Sequence, residues 1–204
     1  EINVKEEILR LLEEENGLQL VTEYLEKVKE ENPGYTEFLE LLAMREGGGD
    51  YSSRRQTEKE GQIILSQFLG RYQVGDMTLK QIGFKDTEGH WTELAESLDV
   101  KSEDDFLINE TAQEVAILFA LRWDYQFILS NGDDKYIGST IAGVEITESG
   151  MIASGHLIGC NDLHKAFNGE IAWSDAKDGL GTSALEYMKE MGGLNLREIL
   201  VGIE

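Results

Sequence analysis

Glu46 closes a strongly apolar helical run through Phe38, Leu39, Leu41, Leu42 and Met44, and three glycines, Gly47 to Gly49, follow it directly. Consecutive glycines stop a helix, so the carboxylate falls on the last turn of a buried helix. There it meets the negative end of the helix dipole, which favours the protonated acid. A protonated carboxylic acid, beside a loop open enough for a bulky substrate to reach the backbone, is what general-acid cleavage of a glycosidic bond requires. An inverting hydrolase also needs a second carboxylate about 6.5–9.5 Å away to activate water. Asp50, Glu58 and Glu60 all lie in the following loop. Glu60 is preferred, because Gly61 after it suggests a tight, positioned turn. Composition alone favours a plainer reading, in which Glu46 is a solvated helix-terminal residue.

Other chemistries fit less well. The three histidines have no zinc-like spacing and no H-E-x-x-H is present, which argues against a metallopeptidase. Asn131-Gly132-Asp133-Asp134 lacks the ligand ladder of a calcium loop and reads as a turn. Gly47 to Gly49 is not a phosphate loop, since no Gly-Lys-Ser/Thr follows. Cys160 is the single cysteine, so no intrachain disulfide can form, and it reads as a small buried hydrophobe. No metal and no cofactor are expected. The net charge of -22 repels nucleic acid phosphate and anionic lipid, and no apolar run is long enough to span a membrane.

The elements that must position Glu46 are mostly helices. The first 45 residues read as three of them. One runs around Ile8 to Leu12 and stops at Asn16-Gly17; a second runs from about Leu18 to Glu30; a third starts after Asn32-Pro33-Gly34, with Thr36 as its N-cap. Gln62 to Leu65 after Glu60-Gly61 reads as a hairpin or short strand. Further helices are expected at Met77 to Ile82, after Ser102, from Thr111 to Leu129, from Met151 to Ile158 and from Ser183 to Met191. The fold class is mainly α with at most a small β-hairpin. The expected organisation is an N-terminal helical extension or linker over residues 1–34 and a catalytic domain over 35–204.

Several segments, in order, resemble one superfamily. Ala43-Met44-Arg45-Glu46-Gly47-Gly48-Gly49-Asp50-Tyr51 resembles the Glu-Ser-Gly-Gly signature of lysozyme-like glycosidases and lytic transglycosylases. Leu69-Gly70-Arg71-Tyr72-Gln73-Val74 is similar to their Gly-x-x-Gln motif. Gly89-His90-Trp91-Thr92, Asp105 to Asn109 and Ala112-Gln113-Glu114 resemble a bacterial and phage subgroup found at the ends of secretion-system and phage proteins. Met151 to Gly159 resembles the Ala-Ala-Tyr-Asn-Ala-Gly element that closes the cleft, with His156 in the tyrosine position. Gly181-Thr182-Ser183 with Tyr187-Met188 completes the pattern, which covers about residues 38–195. Gly47 replaces the serine that usually follows the acid, and residues 51–69 are longer than in simple transglycosylases.

The resemblance implies a lysozyme-like domain that cuts the β-1,4 linkage of peptidoglycan. Glu46 would be the general acid, and Tyr51, Gln56, Gly70, Tyr72, Gln73, Trp91 and His156 would line the glycan groove. The alternatives are a lytic transglycosylase, a chitinase- or chitosanase-like enzyme, and a non-catalytic glycan-binding or assembly module. The implied partners are peptidoglycan strands and, for a delivered toxin, a cognate immunity protein, with no nucleic acid and no membrane insertion. The charged, polar N-terminus, which begins without Met, does not read as a signal peptide. The chain is expected to be secreted, or delivered to the periplasm or cell wall, as part of a larger protein.

Overall fold

Caps and breakers set most of the helix ends. The structure, a computed structural model, describes residues 2–203. Helix α1 (Val4–Leu11) begins in a capping box between Asn3 and Glu6, and α2 (Gly17–Glu31) follows. Helix α3 (Pro33–Glu46) starts with Pro33 in its first turn, where a missing N–H costs nothing. Thr36 is therefore inside the helix and not its cap; its hydroxyl donates back to the Lys29 carbonyl at 2.6 Å. Strands β1 (Gln56–Lys59) and β2 (Gln62–Leu65) form an antiparallel hairpin. Its two-residue turn places Glu60 and Gly61 both at positive φ, the geometry that matches strand twist.

Short helices follow: α4 (Asp76–Gln81), α5 (Glu93–Ser97) capped by Thr92, and α6 (Glu103–Leu107) capped by Ser102. Helix α7 (Glu110–Ser130) is the longest. Beyond it, β3 (Thr140–Ile141) and β4 (Val144–Glu145) make a second hairpin around Ala142-Gly143. Helices α8 (Glu148–Ile158), α9 (Cys160–Phe167), α10 (Ala184–Glu190) and α11 (Arg197–Leu200) complete the chain. The fold is mainly helical, with two small hairpins where one at most was expected. The second has a turn of Ala-Gly, which signals a hairpin less clearly than Asn-Gly does. Among the described residues no helix is long and apolar enough to cross a membrane.

The chain divides into two compact units, Glu1–Ala120 and Leu121–Glu204. The division falls within α7. The first two helices are integral to the first unit: Ile8, Val21, Leu25 and Val28 are buried, and Thr22 and Thr111 hydroxyls meet at 2.7 Å. The core of that unit also takes Tyr35, Phe38, Leu42, Phe84, Phe106 and Val115. In the second unit α8 packs against α9 and α10. Ser149 and Ser154 on α8 are buried and donate to the carbonyls of Met191 and Ala184 at 2.7 and 2.8 Å. Each buried hydroxyl is thereby satisfied.

Candidate active site

The end of α3 is built as a turn against a second loop. Gly47 N–H donates to Ala43 at 3.0 Å, and Gly49 N–H reaches the same carbonyl at 3.2 Å. Gly48 and Gly49 both lie at positive φ, which glycine tolerates without strain. Gly47 serves a different purpose. A Cβ there would stand 2.6 Å from the Arg71 carbonyl oxygen and 2.7 Å from that of Gly70. The loop after Glu46 and the Gly70-Arg71-Tyr72-Gln73 segment are thus packed backbone to backbone.

Hydrogen bonds lock the two loops together. Arg71 Nη1 donates to Gly49 O at 2.5 Å, and Gly70 N–H donates to Ser53 O at 2.7 Å. Gln73, itself at positive φ and 6% exposed, donates through Nε2 to Gly70 O at 2.9 Å and Ser53 O at 3.3 Å. From α7, Gln113 Oε1 accepts Arg71 N–H, and its amide nitrogen donates to Tyr51 O and Phe106 O, each at 2.9 Å. A Cβ on Gly70 would lie 2.1 Å from that same Gln113 Oε1. Gly47→Ala and Gly70→Ala should each lower stability by about 2–3 kcal/mol, since backbone and a fully bonded amide cannot yield. Thermal unfolding checks this; wild-type melting in both would refute the packing argument.

Beside this junction lies a shallow, open groove of about 530 Å³. Gly48, Gly49, Asp50, Tyr51 and Ser52 line it together with Leu107, Ile108 and Glu110. Glu46 is half-buried at the root of the same loop, and its main-chain carbonyl accepts Arg55 Nη2 at 3.4 Å. The Asp50 carboxylate accepts the Ser52 backbone N–H and the Ser52 hydroxyl, each at 2.8 Å. These two bonds, the backbone one foremost, hold the carboxyl below its usual range, so it is ionised at neutral pH. Glu58 and Glu60 stand on the hairpin, exposed; Glu60 occupies its tip. Arg54 anchors the hairpin base by donating to Ser66 O at 2.9 Å and pairing with Glu103 at 2.7 Å.

Four expected groove residues have other surroundings. Tyr72 is 1% exposed. Gln73 is a strut inside its loop, and Gly70 is covered by Gln113. Trp91 stacks on Phe106 with ring centroids 6.1 Å apart, and Lys85 lies over its ring at 4.7 Å. Tyr51 does line the groove, and Gln56 is exposed at the start of β1. His156 lies on α8 in the second unit, where it interacts with the buried Asp124. His164 there pairs with Asp133, at 2.9 Å, and His90 in the first unit faces Asp86.

Sequence reasoning gave no role to one buried, well-connected carboxylate. Glu114 on α7 is buried and accepts hydroxyls from Tyr51 at 2.8 Å and from Tyr72 at 2.8 Å, and it pairs with Lys29. Burial and the Glu114 charge push both phenols well above their usual range, so they stay protonated and donate. A signal was present: Gln113 and Glu114 interrupt an otherwise apolar helical run, and such residues enter a core only when paired. Compared with protein-family models, with curated proteins and with solved structures, the chain matches none.

Proposed function

We propose that this chain is a glycosidase that cleaves the β-1,4 linkage of peptidoglycan, with Glu46 as the general acid. The observation that carries the reading is the packing of Gly47 against Gly70 and Arg71. Gly47 and Gly70, 23 residues apart, belong to two segments that each resemble part of a lysozyme-like site, and they form one junction beside a groove.

Within the reading, Glu46 protonates the leaving glycosidic oxygen. Asp50 is the better partner than Glu60, because it lines the groove and is kept ionised by Ser52. An ionised carboxylate there can accept a proton from attacking water, or offset positive charge at the anomeric carbon. Tyr51 offers a ring edge and Ile108, 83% exposed, an apolar surface to the faces of sugars. The net charge of -22 disfavours free diffusion onto an anionic wall, which fits a domain carried there by a larger protein.

Mass spectrometry of peptidoglycan digested by the chain tests the reaction. Reducing muramic ends are expected, and Asp50→Asn should slow their release by about 10²–10³-fold. Anhydro-muramic ends with an indifferent Asp50→Asn variant would instead assign a lytic transglycosylase. Intact glycan would overturn the proposal and leave a binding or assembly module.

A further inference from the structure

Tyr51 stands between two depressions of the first unit. One is the groove; the other is a pocket of about 150 Å³ whose lining includes Leu25, Lys29, Thr111 and Glu114. A side chain with empty space behind it can change rotamer unless something holds it. Glu114 holds this one, by accepting the Tyr51 hydroxyl at 2.8 Å. The same carboxylate takes the Tyr72 hydroxyl through both oxygens, at 3.0 and 2.8 Å, and pairs with the Lys29 ammonium.

A buried carboxylate is a poor device for stability, because its desolvation offsets most of what it gains from the half-buried Lys29. What Glu114 adds is geometry. Its two tyrosines flank Arg71, whose guanidinium lies 5.3 Å from the Tyr51 ring centroid and 5.8 Å from that of Tyr72. Arg71 in turn donates to Gly49 O at 2.5 Å. A continuous chain of contacts therefore runs from one buried carboxylate to the glycine loop that follows Glu46.

We infer that Glu114 is a positioning residue for glycan binding: it latches Tyr51 as a wall of the groove and, through Tyr72 and Arg71, fixes the loop of Gly48 and Gly49. The inference rests on the glycosidase reading. With the latch closed the groove is formed before substrate arrives, and no ordering cost falls on binding. With it open, Tyr51 can turn into the pocket behind it and the groove loses that wall.

Tyr51→Phe isolates the latch, because it keeps the ring and removes one hydroxyl; Glu114→Gln removes the charge that both tyrosines share. Binding of a glucosamine–muramic acid tetrasaccharide is measured by calorimetry in a Glu46→Gln background, so that the ligand survives. Amide hydrogen exchange over residues 49–52 is followed in parallel, and KM and kcat are measured with Glu46 intact. Tyr51→Phe should weaken binding about tenfold, speed exchange of those amides by a similar factor, and raise KM with little change in kcat. Exchange in α1 should stay at the wild-type rate, which a general loss of stability would not allow. If Tyr51→Phe binds as the parent does, the latch is overturned and the glycosidase reading stands. If the wild-type chain neither binds nor cuts glycan, both fall. If Glu114→Gln does not fold, Tyr51→Phe decides alone.

Discussion

Glu46→Gln is expected to lower peptidoglycan cleavage by about 10³-fold while leaving the fold in place. A positioned general acid contributes typically 10²–10⁴-fold, and glutamine keeps the shape of the side chain but has no proton to give to a leaving oxygen. Glu46 is half-buried at the last turn of α3, and the helix stop beside it is made by backbone bonds to Ala43 that the substitution does not touch. Stability should therefore stay within about 1 kcal/mol of wild type, the range for changes outside a core. Release of soluble muropeptides and a thermal melt together read the result. Full activity in the variant would remove Glu46 from the chemistry, and with it the proposed reaction.

The second large effect concerns the other unit and is one of pH. Asp124 on α7 is 8% exposed. One of its oxygens accepts the Cys160 thiol at 3.5 Å, and the other has no hydrogen-bond partner among the described residues. Burial raises its pKa to about 7, against the opposing pull of His156 from α8 and of the Cys160 bond from α9. In the unfolded chain it titrates near 3.9. The folded state thus binds this proton more tightly than the unfolded state does. Its stabilising contribution is complete below about pH 4 and is lost as pH rises through about 7. The slope cannot exceed about 1.4 kcal/mol per pH unit, so a loss of a few kcal/mol is expected between pH 4 and pH 8.

Asp124→Asn should flatten that dependence, because the amide has no charge to bury. Urea unfolding of wild type and variant at pH 5 and pH 8.5 measures it. The difference between the two proteins cancels the His164–Asp133 pair, which is common to both, and reports Asp124 together with its coupling to His156. Parallel pH profiles would show that Asp124 ionises without penalty. The Cys160 thiol is itself pushed well up by burial and by the Asp124 charge, so it remains a neutral donor throughout this range.

Local signals in the chain determined the helix ends. Three glycines end α3 at Glu46; Glu60-Gly61 makes the hairpin turn; Ser102, Thr147 and Ser183 cap α6, α8 and α10. Each depends on residues a few positions apart, so the physical cause lies wholly within the local sequence. The mainly helical class follows from the same signals, as does the place of Glu46 at a helix end, while its proposed role as an acid rests on resemblance. Tertiary structure alone decided the partners. Tyr72, Gln73 and Trp91 have side chains suited to a sugar groove, yet Tyr72 and Gln73 are buried and Trp91 is packed on Phe106. Glu114 meets Tyr72 across 42 positions and Lys29 across 85. No periodicity encodes such meetings, because they depend on how whole helices pack. Aromatic and polar side chains serve a core or a groove equally well, and only the packing around them determines which.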